Sequence, residues 1–160
     1  ASGKSSITRE LVRKLALRGV TAVVLESDEM RKILTPDPTF SPDERDRFYR
    51  MLVQIGELLA RSGVNVIFDA TGNKRAYRDH ARSVIGKFVE VFVDCPLAVC
   101  MARDPKGLYA AAARGTTATV PGVQSSYEAP LRPELTVDGQ AGPPAAAEAV
   151  LSRLQELRYI

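Results

Sequence analysis

The residues best suited to chemistry stand at the start of the chain, in the run Gly3-Lys4-Ser5-Ser6. Gly-Lys-Ser is the second half of the phosphate-binding loop G-x-x-x-x-G-K-[ST], which leads directly into a helix. Backbone N–H groups and the positive end of the helix dipole bind phosphate there, and glycine permits the close approach. We therefore expect Lys4 to reach the β and γ phosphates of a polyphosphate, and the Ser5 hydroxyl to bind its Mg²⁺.

The motif is only half present, because neither its first glycine nor the apolar strand that should precede the loop stands in the sequence. A parallel sheet without that strand would leave two neighbouring strands unpaired. We therefore expect the chain to be an N-terminally truncated part of a longer polypeptide. The local pattern also allows a simpler alternative, in which Ser2 or Ser5 only caps the helix that continues through Ile7.

Amphipathic segments alternate with short apolar runs along the rest of the chain. The pattern predicts helices over residues 7–18, 42–61, 75–85, 96–103 and 144–157, and strands over 21–25, 64–69, 88–94 and 135–137. The inward face of the second helix is predicted to carry Phe48, Leu52, Ile55, Leu58 and Leu59. This alternation predicts an α/β fold, a doubly wound parallel sheet with helices on both faces, in a single domain over residues 1–160.

Acidic residues follow two of the predicted strands, Asp28 after the first and Asp69 at the end of the second. Ligands bind at the carboxyl ends of the strands in open α/β sheets, so both carboxylates are candidates for catalysis. An apolar strand that ends in Asp is also typical of a carboxylate that binds Mg²⁺ or acts as a base. The alternative for Asp69 is that it caps the helix near Arg75.

The pattern dissolves between residues 104 and 133 into Gly, Pro, Ala, Thr and Ser. A stretch of this length without regular structure is uncommon in a compact domain unless it is functional. We expect a lid over the bound ligands, mobile between Asp104 and Tyr127 when no ligand is present.

Composition narrows the class of protein. The chain is 45% hydrophobic and 26% charged, with a formal charge of +3 from interspersed basic and acidic residues. Such a balance favours a mildly basic anion site over a nucleic-acid surface. No apolar stretch approaches the roughly 18 residues of a membrane span. Cys95 and Cys100 have no partners at metal-ligand spacing, so we expect reduced core cysteines in a cytoplasmic protein.

Several stretches, in order along nearly the whole chain, resemble the adenylylsulfate kinase family. They are S-G-K-S-S at the start, Asp28 with Arg31, Phe40-Ser41 with Arg45, V-F-V-D-C-P-L, and A-R-D-P-K-G-L-Y followed by Y-E-A-P. The last two, Ala102–Tyr109 and Tyr127–Pro130, are the most specific to the family. The resemblance implies a P-loop kinase of sulfate assimilation that transfers the ATP γ-phosphate to the 3′-hydroxyl of adenylylsulfate. It also implies a homodimer, and the expected truncation permits fusion to an ATP sulfurylase.

The resemblance further implies roles for single residues. ATP and Mg²⁺ would be bound by the phosphate loop, Gly3, Lys4, Ser5 and Ser6. Asp28 would act on Mg²⁺ and on the acceptor hydroxyl. The acceptor would be held by Arg31 and Arg45 on its phosphosulfate and by Phe40 on its base, while Arg103 and Lys106 would belong to the lid. These roles suit phosphoryl transfer, which depends mainly on positioning and on neutralising the charge of the phosphate oxygens.

The chain departs from the family mainly on the acceptor side. Phe48 stands where members usually have Asn, residues 71–75 read T-G-N-K-R in place of I-S-P-[FY]-R, and residues 118–120 lack the usual K-x-F. The run Asp69-Ala70-Thr71 also resembles small P-loop kinases that act on other hydroxyl acceptors. Two alternatives therefore stay open, the same kinase chemistry on another nucleotide-like acceptor, and a degenerate nucleotide-binding domain with a regulatory role.

Overall fold

The computed structural model describes residues 1–39, 41–104, 107 and 126–160. The helices are α1 (Lys4–Ala16), α2 (Ser27–Leu34), α3 (Pro42–Arg61), α4 (Arg75–Val84), α5 (Leu97–Arg103) and α6 (Pro143–Glu156). The strands are β1 (Ala22–Glu26), β2 (Asn65–Asp69), β3 (Val91–Asp94) and β4 (Leu135–Asp138). The predicted alternation of helices and parallel strands is confirmed.

The described strands form two parallel pairs, β1 with β2 and β3 with β4, in place of one continuous hydrogen-bonded sheet. The register sets Glu26 opposite Asp69 in the first pair and Asp94 opposite Asp138 in the second. Carboxylates therefore line the carboxyl ends of both pairs. An apolar groove of about 580 Å³ is lined by side chains of both pairs and of α1, among them Leu11, Leu15, Val66, Phe68, Val91 and Val93.

Where helix boundaries differ from the predictions, the difference is one residue, and it is larger only in α1. Helix α1 begins at Lys4, three residues before the first apolar position of the pattern, because the chain enters the helix through the left-handed Gly3. Helix α2 was not predicted, since its eight residues are mostly polar and too few for a clear period. Helix α3 begins and ends as predicted, and its Ser41 cap accepts a hydrogen bond from the Glu44 N–H at 3.2 Å.

The apolar core consists of two clusters, and side chains of β1 and β2 contribute to both: Ala22 and Ile67 to one, Leu25 and Phe68 to the other. Helices α1 and α6 pack together over the β3–β4 side, in a cluster that includes Leu11, Val137 and Leu151. Helix α3 covers β1 and β2 with Phe48 and Leu52, which are almost wholly buried. The prediction that Leu58 faces inward was wrong, because that side chain is 67% exposed near the C-terminal end of α3.

None of the helices in the described ranges is both long and apolar enough to cross a membrane.

Candidate active site

The phosphate loop Gly3-Lys4-Ser5-Ser6 forms the N-terminus of α1. Gly3 adopts the left-handed conformation, with φ of 98°, and its carbonyl oxygen accepts the Ile7 N–H at 2.9 Å. No side chain caps the helix, so the alternative that Ser2 or Ser5 is only a cap is wrong. The N–H groups of the first turn have no partners within a helix and are available to an anion. Ser5 is exposed, and Lys4 makes no hydrogen bond or ion pair with any residue that the structure describes.

A turn after β4 closes against the phosphate loop. The Gly139 N–H donates to the Asp94 carbonyl at 2.7 Å, and a Cβ at Gly139 would lie 2.8 Å from the Ser2 carbonyl oxygen. Arg103, at the end of α5, donates from Nη1 to the Gly139 carbonyl at 2.8 Å. The position of Arg103 is therefore tied to the phosphate loop through one glycine, which brings this predicted nucleotide-binding residue to the side where ATP is expected.

The two candidate catalytic carboxylates lie on neighbouring elements in different surroundings. Asp28 is exposed in the first turn of α2, directly after β1. Asp69 is only 6% exposed at the end of β2, and it makes no hydrogen bond or ion pair with any described residue. Asp69 does not cap α4, whose cap position is Lys74 and whose first N–H, that of Arg75, donates to a Glu128 carboxylate oxygen at 2.8 Å. The capping alternative for Asp69 is therefore wrong.

The two predicted acceptor arginines lie close together on α2 and α3. Arg31 donates to Glu44 at 3.4 Å, and its guanidinium lies 3.9 Å from the centre of the Phe48 ring. Burial lowers the pKa of Arg31, and the positive charge of Arg45 lowers it further. Arg45 itself is 8% exposed. Arg31 is half-buried and Arg45 is buried, and two positive charges this close together attract an anion, because it relieves the part of their repulsion that Glu44 leaves.

Phe48, which stands where family members usually have Asn, lies next to one of the predicted acceptor arginines. Its ring is 0% exposed in the α3 core, and its face supports the Arg31 guanidinium from below. A cation over an aromatic face gains about 0.5–2 kcal/mol, depending on how far it is desolvated. Phe48 therefore contributes a ring face to the surroundings of the Arg31 guanidinium.

Tyr49 belongs to the site and was missed by the sequence analysis. Its hydroxyl accepts the Gly72 N–H at 3.0 Å, and its ring stacks on Tyr77 at 4.3 Å. Burial raises the pKa of Tyr49, while the bond from Gly72 and the charges of Arg31 and Arg45 act in the opposite direction. The only sequence signal was a tyrosine on the buried face of a helix, since a buried hydroxyl needs a hydrogen-bond partner.

Comparisons with known proteins identify the chemistry. The family described as Adenylylsulphate kinase matches residues 1–138. This chain belongs to the adenylylsulfate kinase family. A probable adenylyl-sulfate kinase of Pyrococcus abyssi is 38% identical over 160 residues, which cover 99% of this chain and 92% of the relative. A probable bifunctional SAT/APS kinase 2 of Sorangium cellulosum is 37% identical over 160 residues, and the match covers 99% of this chain but 28% of that longer protein.

A solved structure agrees with the sequence comparisons. The Mycobacterium tuberculosis APS kinase, in complex with AMPPNP and APS, matches with a TM-score of 0.89 and 37% identity over 96% of this chain and 91% of that one. The predicted family, and with it an ATP-dependent adenylylsulfate kinase, is confirmed. The individual site residues stay predictions.

Some predicted residues of this adenylylsulfate kinase lie outside the described ranges. They are Phe40, Lys106 and residues 118–120, together with most of the predicted lid. The end of the predicted lid is described. Residues 126–130 are hydrogen-bonded to residues 73–75, with the Glu128 N–H donating to the Asn73 carbonyl at 2.8 Å.

The residues present fit a Mg²⁺ ion bound together with a nucleotide. Within the described residues no three His, Cys, Asp or Glu side chains gather into a metal-binding group. Mg²⁺ commonly takes one or two protein oxygens and completes its shell with phosphates and water. The exposed Ser5 hydroxyl and the carboxylates of Asp28 and Asp69 are hard oxygen donors of this kind, and Asp69 has no competing partner among the described residues.

Proposed function

We propose that the residues of this site transfer the γ-phosphate of ATP to the 3′-hydroxyl of adenylylsulfate, giving 3′-phosphoadenylylsulfate. One observation carries the assignment of residues: Arg31 and Arg45 lie together against the Phe48–Tyr49 pair, close to Asp28. That cluster offers two cations to an anionic tail and a carboxylate to a nearby hydroxyl. It suits a nucleotide that carries a negative charge better than a neutral sugar.

On the donor side, the phosphate loop binds the ATP phosphates. The N–H groups of Lys4, Ser5 and Ser6 begin α1, where the helix dipole adds a partial positive charge. Lys4 neutralises charge on the β and γ phosphates, and its lack of any partner among the described residues leaves its ammonium group available for them. Arg103 contributes next to the loop through its bond to Gly139.

On the acceptor side, the arginines hold the phosphosulfate and a carboxylate orients the attacking hydroxyl. Arg31 is held in place by Glu44 and by the Phe48 ring, so little rotamer entropy is lost when it binds an anion. Asp28 accepts a hydrogen bond from the 3′-hydroxyl and directs its oxygen toward the γ-phosphate. Two roles are proposed on the resemblance alone. Phe40 stacks on the base of the acceptor, and Lys106 belongs to the lid.

A Mg²⁺ ion bound with ATP supplies charge neutralisation on the phosphate oxygens. Ser5 is proposed to hold it, with Asp28 or Asp69 as the carboxylate. The two carboxylates differ in burial, and this difference suits them to different roles. The exposed Asp28 is accessible to the acceptor hydroxyl, and the buried Asp69 would bind Mg²⁺ with less competition from water. Either carboxylate could bind the ion directly or could hold one of the water molecules bound to it.

A second candidate is the same chemistry on a different nucleotide-like acceptor. The departure of residues 71–75 from the family pattern favours it. Within that segment Asn73 is 4% exposed, and its side-chain oxygen has no hydrogen-bond partner among the described residues. A buried acceptor without a donor costs about 1–3 kcal/mol, so a ligand amino or hydroxyl group would gain from reaching it.

The finer architecture belongs to the same proposal. We take β1–β2 and β3–β4 as two parts of one doubly wound sheet, with one further parallel strand in the apolar groove leading into the phosphate loop. The apolar side chains that line the groove support it. A homodimer, a cytoplasmic location and fusion to an ATP sulfurylase remain proposals, the last supported by the bifunctional Sorangium cellulosum relative.

The test is ADP formation from ATP and Mg²⁺ with each member of a panel of 5′-nucleotides, their sulfo derivatives and their phosphoramidates. We expect adenylylsulfate to have the highest kcat/KM, because it combines a 3′-hydroxyl with a doubly anionic tail. Another acceptor winning by more than about tenfold, or 1.4 kcal/mol, would replace adenylylsulfate while leaving the kinase standing. A folded protein that binds ATP but makes no ADP with any member would support the regulatory alternative.

A further inference from the structure

The loop of residues 71–75, called here the acceptor loop, is held from two sides. On one side the Tyr49 hydroxyl accepts the Gly72 N–H at 3.0 Å. On the other side the Arg78 guanidinium, one turn into α4, donates from Nη1 to the Gly72 carbonyl. Gly72 is buried in the left-handed conformation, with φ of 50°. The backbone of one glycine is therefore fixed through both its donor and its acceptor.

Arg78 is itself fixed by three further contacts. Its Nη2 donates to the Glu128 carbonyl at 2.6 Å, and its Nε donates to Glu90 Oε1 at 2.5 Å. The Tyr127 ring centre lies 5.7 Å from the guanidinium. Side chains of Arg78 and Glu90 are only 14% and 11% exposed. A guanidinium with this many partners in a poorly solvated place is rigid, because every alternative rotamer leaves buried polar groups unpaired.

The segment of residues 126–130 completes the attachment. The Glu128 N–H donates to the Asn73 carbonyl, the Glu128 carboxylate accepts the Arg75 N–H, and Asn73 Nδ2 donates to the Ser126 carbonyl at 3.2 Å. Arg78 joins this segment to the acceptor loop through the Glu128 and Gly72 carbonyls. The loop thus has a defined position, and Arg78 is the side chain that contacts both the loop and residues 126–130.

Gly72 is connected to the acceptor arginine Arg31 through Tyr49 and Phe48. Tyr49 meets the Phe48 ring edge to face at 5.3 Å, and the face of Phe48 carries the Arg31 guanidinium at 3.9 Å. A continuous series of contacts therefore runs from Arg78 through Gly72, Tyr49 and Phe48 to Arg31. Every member of the series is buried or half-buried, so a shift at one end is not absorbed by solvent.

We propose that Arg78 is a positioning residue for the acceptor nucleotide: by holding Gly72 against Tyr49 it sets the acceptor loop and, through Phe48, the direction of Arg31. It does not touch the phosphate loop or the described turn at Gly139. Its loss should therefore affect the binding of the acceptor and leave the binding of ATP as it is. This proposal rests on the proposed function, which assigns Arg31 to the acceptor side of the site.

Arg82 provides the matched control. It lies one turn further along α4 and donates to the same Glu90, at 3.3 Å, and to Glu134 at 2.5 Å. Both arginines lie on α4 and carry the same charge, and substitution of either one by Ala removes an ion pair with Glu90. None of its hydrogen bonds reaches the acceptor loop or residues 126–130. Any effect that both variants share is therefore structural.

The kinetic experiment measures both KM values and kcat for Arg78→Ala and Arg82→Ala in the full-length protein. We expect Arg78→Ala to raise KM for adenylylsulfate by about 10- to 100-fold, since displacement of a positioning group by about 1 Å can cost 10² in rate. KM for ATP should stay within about twofold of the wild-type value in both variants, because neither substitution removes a contact with the phosphate loop. An equal rise of both KM values, or the same rise in Arg82→Ala, would overturn the proposal.

A second variant guards against misfolding of Arg78→Ala. Tyr49→Phe keeps the ring and removes only the hydroxyl that accepts from Gly72, a loss of about 0.5–1.5 kcal/mol, or roughly 2- to 10-fold in KM for the acceptor. If Tyr49→Phe leaves that KM unchanged, the series of contacts does not act on the acceptor and the proposal fails.

Hydrogen exchange of the Gly72 amide separates this proposal from the choice of substrate, because it needs no turnover. We expect faster exchange of that amide in Arg78→Ala and unchanged exchange in Arg82→Ala. Unchanged exchange in Arg78→Ala would overturn the positioning role. If wild-type protein prefers another acceptor in the panel, the KM measurements are made with that acceptor, and only the proposed function has failed.

Discussion

The donor side and the acceptor side of this kinase are built in different ways. The donor side consists of the phosphate loop, α5 and the turn at Gly139, and its close contacts involve backbone atoms. The acceptor side consists of α2, α3 and the acceptor loop, and its contacts are made by long side chains from distant parts of the chain. The Gly72–Tyr49 bond, for example, joins residues 23 positions apart.

The difference fits the observation that the chain departs from its family mainly on the acceptor side. Backbone N–H groups are the same in every sequence, so a phosphate site built from them needs only glycine and a helix start. A site built from side chains can reach a similar arrangement with other residues, provided that they change together. Phe48, which stands where members usually have Asn, contacts the Arg31 guanidinium within the α3 core.

Loss of the phosphate-loop lysine should have the largest effect. In Lys4→Ala we expect kcat/KM to fall by about 10³ with both substrates present, because a cation on the transferred phosphate stabilises the transition state directly. Stability should be unchanged, since the Lys4 side chain makes no bond with a described residue. Steady-state ADP formation and thermal unfolding measure the two quantities. Normal turnover by the folded variant would remove the phosphate-loop assignment.

Neutralising the acceptor-side carboxylate should have the next largest effect. We expect Asp28→Asn to lower kcat by at least about 10², which is a typical loss for a general base. Asp69→Asn is the comparison, because Asp69 lies opposite Glu26 on the next strand. Rates are measured with saturating ATP and adenylylsulfate. An essential Asp69 and a dispensable Asp28 would move the base to β2.

A methyl group at Gly139 should disturb the donor side alone. Its Cβ would lie 2.7 Å from the Cys95 Cβ and 2.8 Å from the Ser2 carbonyl oxygen, so the phosphate loop must shift. We expect Gly139→Ala to raise KM for ATP by about tenfold and to destabilise the fold by about 1–3 kcal/mol. Gly86→Ala is the control, since a Cβ there meets nothing within 4 Å. A larger change in KM for adenylylsulfate than for ATP would contradict the prediction that this substitution disturbs the donor side alone.

Replacing the ring under Arg31 should weaken the acceptor side more mildly. Phe48→Leu removes the cation–π contact, and we expect KM for adenylylsulfate to rise by about 3- to 10-fold. Leu52→Val controls for loss of core packing, because Leu52 belongs to the same cluster without touching the Arg31 guanidinium. Equal KM values in the two variants would show that Phe48 contributes packing only.

The smallest effect on activity is expected at Glu134, which joins the start of β4 to α4. Hydrogen bonds from Arg82 hold the pKa of Glu134 at about 2, below its usual 4.5. The lowered pKa means that this pair stabilises the folded state above pH 4.5 and ceases to do so as the pH falls toward 2. Glu134→Gln should therefore flatten the loss of unfolding free energy over that range, as followed by urea unfolding. A parallel pH dependence in both proteins would contradict it, and activity at neutral pH should stay nearly unchanged.

The sequence by itself determined most of the elements and the place of the phosphate-loop motif at the start of a helix. Helix α3 follows from Ser41, Pro42 and an apolar face that repeats every three to four residues, and its bounds were predicted correctly. The phosphate loop could be predicted because its ligand contacts come from adjacent residues in one short motif. Local patterns of this kind need no knowledge of the remainder of the chain.

Only the tertiary structure decided how the acceptor side is assembled. The sequence could not show that Phe48 contacts Arg31, that Tyr49 contacts Gly72, or that Glu128, and not Asp69, accepts the first N–H of α4. Each contact joins residues far apart along the chain, and each depends on which faces of α2, α3 and α4 the folded chain turns toward one another. A helical period tells which side chains are buried, but the partner of a buried polar group is set by packing between elements.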